Sequence, residues 1–441
     1  MLKATVIGGG LAGCEAALRL SALGAQVDLI EARPLLRPAA HKTDMLGELV
    51  CSNSLKSEEN TTASGLLKAE LDILGCRLLE IARGVRVPAG SALAVDRELF
   101  ARAVTDEVER NKGITRITDV ADDWDPARPT VIATGPLTVG GIADAISSRL
   151  GGNLHFYDAA APIVSAESVD MSRAFTADRY GRGESDYVNC PMDRDEYYAF
   201  TDALAAAETV ELHGFDRREV FEGCMPVEIM AARGRDTLRF GPLRPVGFTD
   251  PVTGKRPFAV VQLRKENVSG GMYNLVGFQT NLRFGEQKRV FSMIPALKNC
   301  EILRYGVMHR NSFVNAPQTL NPDFSAKGYP LTYIAGQLSG VEGYVESIAA
   351  GLVAAINLFR RCSGQEPLVF PPETVIGALQ RYLTAPNADF QPMNANFGIL
   401  PPLDAAPRRK SERKAAYYER GVRAMREFVS AADSGICAAE N

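Results

Sequence analysis

Two sets of residues in this 441-residue chain have the types and spacing that chemistry needs. The first is Gly8-x-Gly10-x-x-Gly13, with Gly9, Leu11 and Ala12 between the repeats and Glu31 further on. Glycines at this spacing permit a tight turn and let the backbone approach a pyrophosphate. A helix starting there offers unpaired N–H groups and the positive end of its dipole, and an acid about 18 residues on can accept from ribose hydroxyls. The second set is two cysteines in turn-rich surroundings. Cys51 stands in Leu49-Val50-Cys51-Ser52-Asn53-Ser54, and Cys224 in Phe221-Glu222-Gly223-Cys224-Met225-Pro226-Val227-Glu228. A thiolate is both nucleophile and base. An unpaired cysteine is also among the most buried residue types, and a neighbouring Glu raises a thiol's pKa. The local context leaves reactive and inert readings level.

The elements around these residues decide how far each reading goes. An apolar run over 3–8 breaks into the glycines, a helix follows from Cys14 to Leu23, and a strand from Gln26 to Ile30 ends at Glu31: a βαβ opening. That context raises an otherwise weak GxGxxG to a dinucleotide fingerprint. Residues 34–64, rich in Pro, Ser, Thr and Asn, read as a long excursion carrying Cys51. Helical spacing predicts one helix over Gly65–Ile81 and another over 96–112, and a strand Thr130–Ala133 leads into Thr134-Gly135-Pro136. From about 158 to 320, short β-like runs, turns and aromatics suggest an α+β insertion. The βα texture returns at Leu331–Gly336, and Gly340-Val341-Glu342-Gly343-Tyr344 opens a helix through about Phe359. Prolines at 367, 371, 372, 401 and 402 bracket the terminal helices. Since one core rarely grows past about 250–300 residues, the expected organisation is a first part over 1–157, an insertion over 158–320, and a second part over 321–441.

The strand ending in Thr134-Gly135 resembles the second fingerprint of the glutathione-reductase-type FAD fold. There a late strand–glycine–helix unit, here Gly336 followed by Gly343 and Tyr344, closes over the flavin. FAD therefore fits better than NAD. A disulfide reductase of this fold needs a second strand-placed GxGxxG and a CxxC, and neither occurs. The fold class is α/β: a discontinuous glutathione-reductase-type FAD-binding Rossmann domain with an α+β insertion.

Composition narrows the classes. With 46% hydrophobic and 23% charged residues the chain is globular, not disordered or fibrous. Its net charge of −4 excludes a protein that coats nucleic acid, so any RNA contact needs a local patch. Residues 408–426 hold eight basic and two acidic residues, headed by Arg408, Arg409 and Lys410, and Arg283, Lys288 and Arg289 form a second cluster. A solvated helix face is the plainer account of such runs. Scattered cysteines, no leader and no apolar span suggest a cytoplasmic protein with reduced thiols. Four histidines without ligand spacing suggest no metal and no membrane role appears.

Longer motifs carry a more specific signal. VIGGGLAG (6–13), ELVCSNSLKS (48–57), SGLLKAEL (64–71), LAVDRELF (93–100), NCPMDRDEYY (189–198), FEGCMPVE (221–228), FGPLRPVG (240–247), LVGFQTNL (275–282), YGVMHRNS (305–312) and AGQLSGVEGYVES (335–347) occur in order. Together they resemble the bacterial folate- and FAD-dependent tRNA uracil-5-methyltransferases, the TrmFO family, from residue 3 to about 430. A longer flavoprotein relative that modifies the wobble uridine lacks several of them. The resemblance implies transfer of a one-carbon unit from 5,10-methylenetetrahydrofolate to the T-loop uridine at tRNA position 54. FAD would reduce it to methyl, and NAD(P)H would recharge the flavin without a domain of its own. It further implies Cys224 as nucleophile on uracil carbon 6, Cys51 as base at carbon 5, His309 against the pterin, Tyr344 near the same site, and Cys190 as structural. With tRNA as partner, Arg283, Lys288, Arg289, Arg408, Arg409 and Lys410 become RNA-binding candidates. A ribosomal RNA uridine as target, a small-molecule FAD oxidoreductase, and an RNA-binding flavoprotein without chemistry are the alternatives.

Overall fold

Strand β1 (Lys3–Ile7) buries Ala4, Val6 and Ile7, and it sits inside a parallel sheet whose two faces are both covered. The computed structural model describes residues 1–38, 40–151, 153–179, 186–210, 225–388, 390–405 and 407–432, with backbone only at 153, 154, 156–158, 309 and 310. Helix α1 (Leu11–Ala22) follows β1, and β2 (Gln26–Glu31) returns parallel to it with Val6 opposite Leu29. The sheet order is Ser325–Ala326, Tyr329–Ile334, Thr130–Ile132, β1, β2 and Ile114–Thr118, parallel except for the first pair. Strands from both ends of the chain thus flank one another, which makes the domain discontinuous.

Small residues bring the helix Tyr344–Cys362 onto α1. A Cβ on Gly351 would strike the backbone of Ala12, so only glycine lets these helices touch. The single helix expected over 65–81 is two, Ala63–Ile73 and Arg77–Gly84. Gly75 at φ +70 makes the break, and Glu15 of α1 stabilises it by accepting from the N–H groups of Arg77 and Leu78 at 3.2 and 2.9 Å. Glu70 does the same for Val375–Thr384, taking the amides of Val375 and Ile376 at 2.7 and 3.0 Å.

The second lobe is an antiparallel sheet ordered Phe175–Thr176, Tyr187–Met192, Ala259–Lys265, Met272–Leu275, Ile163–Ser165 and Ile302–Arg304. Its core joins Val188, Cys190, Val261 and Leu263 to the rings of Phe200, Phe278 and Phe291. Burial pushes the Cys190 thiol up to about 12, so it stays protonated. An antiparallel ribbon of Asn153–Ala159 and Met308–Val314 carries the chain out to this lobe and back.

A polar seam joins the lobes. Arg264 Nε donates to Asn53 Oδ1 at 3.0 Å, Asn53 Nδ2 donates to the Lys265 carbonyl at 3.0 Å, and the Val268 amide donates to Asp96 Oδ2 at 3.1 Å. Arg97 is ion-paired with the buried carboxylate of Glu266. Charges this deep persist only when paired, so the seam fixes one arrangement of the lobes.

Candidate active site

The carboxyl end of β1 opens into a cleft. Gly8 turns there at φ +104, where a Cβ would sit 2.5 Å from the Ala133 carbonyl oxygen. Gly13 packs its bare Cα against the Gly8 carbonyl, leaving no room for a side chain. Gly10 caps α1 without a side-chain acceptor, so the first amides of the helix are open to an anion in the cleft.

Glu31 lies on the cleft wall at the end of β2. Its Oε2 accepts from the Gly9 amide at 2.7 Å, and its Oε1 from the Arg33 amide at 3.0 Å and Arg33 Nε at 2.8 Å. Burial alone would raise its pKa, but the Arg33 guanidinium and these N–H groups carry it below the usual carboxylate value. Oε2 keeps acceptor capacity for a ribose hydroxyl. Arg33 also pairs with Glu48 at 3.1 Å. Sequence reasoning missed both Arg33 and Glu48; the only signal was their proximity to Glu31 and Cys51 along the chain.

Gly8 to Ala12, Thr134, Gly135, Gly336 and Tyr344 all line the cleft, with Gln337 and Ser347 beside them. Gly13, inside the first turn of α1, and Gly343, at φ +117 capping the closing helix, do not line it. His41 is also in the wall. Its Nδ1 is buried with no hydrogen-bond partner among the described residues, and burial, aided by Arg33, lowers its pKa and keeps it neutral. Bare glycines, an uncapped helix start, an acid on the cleft wall and an orphaned ring nitrogen are what a dinucleotide would satisfy. FAD fits this cleft.

Cys51 lies at one margin of the cleft, between the lining residues Val50 and Tyr344. The Cys51 and Ser52 amides donate to Tyr344 Oη at 2.8 and 3.1 Å. Cys51 Sγ lies 3.7 Å from the Ala159 carbonyl, on the ribbon strand opposite Met308. Cys224 falls outside the described residues. The next residue, Met225, packs on Met308, whose chain neighbour is His309. His309 has its backbone in the ribbon opposite Asp158. The structure therefore brings the neighbours of Cys224 and His309 to the strand pair that Cys51 touches.

The basic residues lie elsewhere and are unequal. Arg283 pairs with Glu208 at 3.0 Å and Arg289 with Glu286 at 2.6 Å, while Lys288 shares the Phe284–Phe291 helix. Arg409 reaches Glu412 at 3.4 Å, and Arg408 and Lys410 flank it at the start of the helix Lys410–Ala431. Arg420 is spent on the carbonyls of Pro401 and Pro402 at 2.6 and 2.8 Å. Among the described residues there is no cluster of three or more His, Cys, Asp or Glu able to hold a metal, and no helix is long and apolar enough to cross a membrane.

Residues 3–366 match the family model described as Glucose inhibited division protein A. A protein of Moorella thermoacetica named methylenetetrahydrofolate–tRNA-(uracil-5-)-methyltransferase TrmFO is 54% identical over 413 residues, covering 93% of this chain and 94% of its own. The protein of that name from Desulforudis audaxviator is 53% identical over 433 residues, covering 98% and 99%. The chain belongs to the TrmFO family. GidA of Aquifex aeolicus shares the fold of this TrmFO-family chain, with a TM-score of 0.71 over 98% of it and 74% of GidA. At 17% identity that likeness bears on fold alone, and it agrees with the α/β class read from the sequence.

Proposed function

We infer that this TrmFO-family chain is a methylenetetrahydrofolate- and FAD-dependent tRNA (uracil-5-)-methyltransferase. The observation that carries the reading is the placement of Cys51 on Tyr344 at the margin of a dinucleotide cleft, facing the ribbon where the chain beside Cys224 packs. The names of relatives above 50% identity across nearly the whole chain support it.

The Gly8–Gly13 turn, Glu31, Thr134, Gly135, Gly336 and the start of the Tyr344–Cys362 helix would hold FAD, which when bound supplies the reducing equivalents that turn a methylene into a methyl group. NAD(P)H would supply those equivalents without a domain of its own, in keeping with the lack of a second strand-placed nucleotide fingerprint. The protein's own part begins with uracil carbon 5, a poor nucleophile. Cys224 adds as thiolate to carbon 6, which pushes electron density onto carbon 5. Carbon 5 then takes the one-carbon unit of the folate, held with help from His309. Cys51 removes the carbon 5 proton, and the electron pair left on the ring breaks the bond between the methylene and the folate nitrogen, which leaves as the amine of tetrahydrofolate. Once the exocyclic methylene has been reduced to methyl, expulsion of Cys224 from carbon 6 restores the ring. The target is the T-loop uridine at position 54, and the protein acts in the cytoplasm.

The tRNA needs a cationic surface away from the cleft. Arg408, Arg409 and Lys410 sit at the amino terminus of a helix, the end whose dipole disfavours positive charge. They do not stabilise the helix, and a phosphate would gain from both the charges and the dipole. Replacing all three with Glu is expected to raise the Michaelis constant for tRNA at least about tenfold and to flatten its salt dependence, with flavin content unchanged. Time courses of 5-methyluridine formation at several salt concentrations measure this. Unchanged tRNA kinetics would remove this helix from the RNA surface.

A further inference from the structure

The four residues around Cys51 are held by three side chains from distant parts of the chain. Arg97, the first residue of the helix Arg97–Arg110, donates Nη1 to the Leu49 carbonyl at 2.9 Å and Nη2 to the Cys51 carbonyl at 3.0 Å. Arg304, at the end of an insertion-lobe strand, donates Nη2 to the Val50 carbonyl between them at 2.7 Å. Tyr344 Oη takes the Cys51 and Ser52 amides. Three consecutive carbonyls and two consecutive amides are thus fixed. Nothing in a turn of this length requires two guanidiniums, because water or backbone N–H groups would serve the carbonyls.

We propose that Arg97 and Arg304 are positioning residues for Cys51, holding its backbone in place and giving its sulfur a cationic setting. The inference rests on the proposed role of Cys51 as base. Arg304 and Tyr344 face the thiol, and the Arg97–Glu266 pair stands beside them. Glu266 offsets Arg97, and Tyr344 is neutral because burial, then the Cys51 charge, raises its pKa. Arg304 is the cation that acts on the thiol directly; burial, then the charge of Arg97, lowers its pKa against the opposing pull of Tyr344 and Glu266, so an anion beside it is favoured. Because Arg304 belongs to the insertion lobe and Arg97 to the FAD lobe, the thiol is set only when the lobes are docked. A cation beside it favours thiolate over thiol.

The test is the pH profile of Cys51 alkylation by iodoacetamide in the flavin-loaded protein, read by mass spectrometry of the Cys51 peptide. The wild-type midpoint is expected below the ordinary cysteine value of about 8.5. Arg304→Gln should move it up and slow alkylation at pH 7 about three- to tenfold, and Arg304→Lys should restore most of the rate. Turnover of Arg304→Gln should fall in kcat more than it rises in KM for tRNA. Superimposed profiles for wild type and Arg304→Gln would overturn the proposal. So would a wild-type midpoint at or above the ordinary value, which decides the matter even if the variant fails to fold. Alkylation needs neither tRNA nor folate. Failure of methyl transfer by the wild type would therefore refute the activity and leave the clamp standing.

Discussion

Cys51→Ala and Cys224→Ala each lose 5-methyluridine formation by at least about 10³-fold, but they part company on RNA containing 5-fluorouridine at the target. Fluorine on carbon 5 cannot leave as a proton, so the reaction stops after the thiolate has added to carbon 6 and the one-carbon unit has joined carbon 5. Cys51→Ala keeps the nucleophile and should still accumulate a covalent protein–RNA adduct. Cys224→Ala should form none. Denaturing gels and intact mass read the adduct directly. Trapping by Cys224→Ala with none by Cys51→Ala would reverse the two roles. Cys190→Ala should behave as wild type in both assays, because that thiol is sealed in the insertion core and held protonated.

Two glycine substitutions should both give colourless protein for different reasons. In Gly13→Ala the new Cβ would be driven into the Gly8 carbonyl, with the Gly8 carbonyl carbon at 3.0 Å and the Ala133 Cβ at 3.4 Å. The obstacles include backbone, so the β1–α1 turn must shift, and both flavin content and melting temperature should fall. In Gly10→Ala the new Cβ meets no protein atom within 4 Å. The flavin-free protein should then melt as the flavin-free wild type does, yet bind FAD at least about tenfold more weakly, because the methyl occupies the path of the pyrophosphate. The ratio of absorbance at 450 nm to protein and a fluorescence titration of the flavin-free protein measure both. Normal flavin content in Gly10→Ala would move the pyrophosphate away from this turn.

The nucleotide half of the site was legible because its demands are local. A strand, three glycines, a helix and an acid lie within 31 residues, and each has a backbone reason to be where it is. The break at Gly75 was not legible, since the apolar spacing of Leu66, Leu67, Leu71, Leu74 and Leu78 runs straight through it. Gly75 ends the first helix, and a carboxylate from α1, far away in sequence, stabilises the break by capping the second. The surroundings of Cys51 were hidden for a similar reason. Its partners lie 46 residues away at Arg97 and 293 away at Tyr344, and no periodicity connects them. Charge runs were visible as charge but not as availability: Arg420, Arg283 and Arg289 are engaged by the protein itself.

The central claim, that this chain methylates carbon 5 of a tRNA uridine with a folate carbon, is tested most directly with isotope. Unmodified tRNA and ribosomal RNA are each incubated with the flavin-loaded protein, NADPH and methylenetetrahydrofolate labelled with ¹³C at the methylene carbon, then digested to nucleosides for mass spectrometry. ¹³C-labelled 5-methyluridine is expected in tRNA, at one site in the T-loop, dependent on both folate and NADPH. Label confined to ribosomal RNA, or NADPH consumed without any labelled nucleoside, would contradict it.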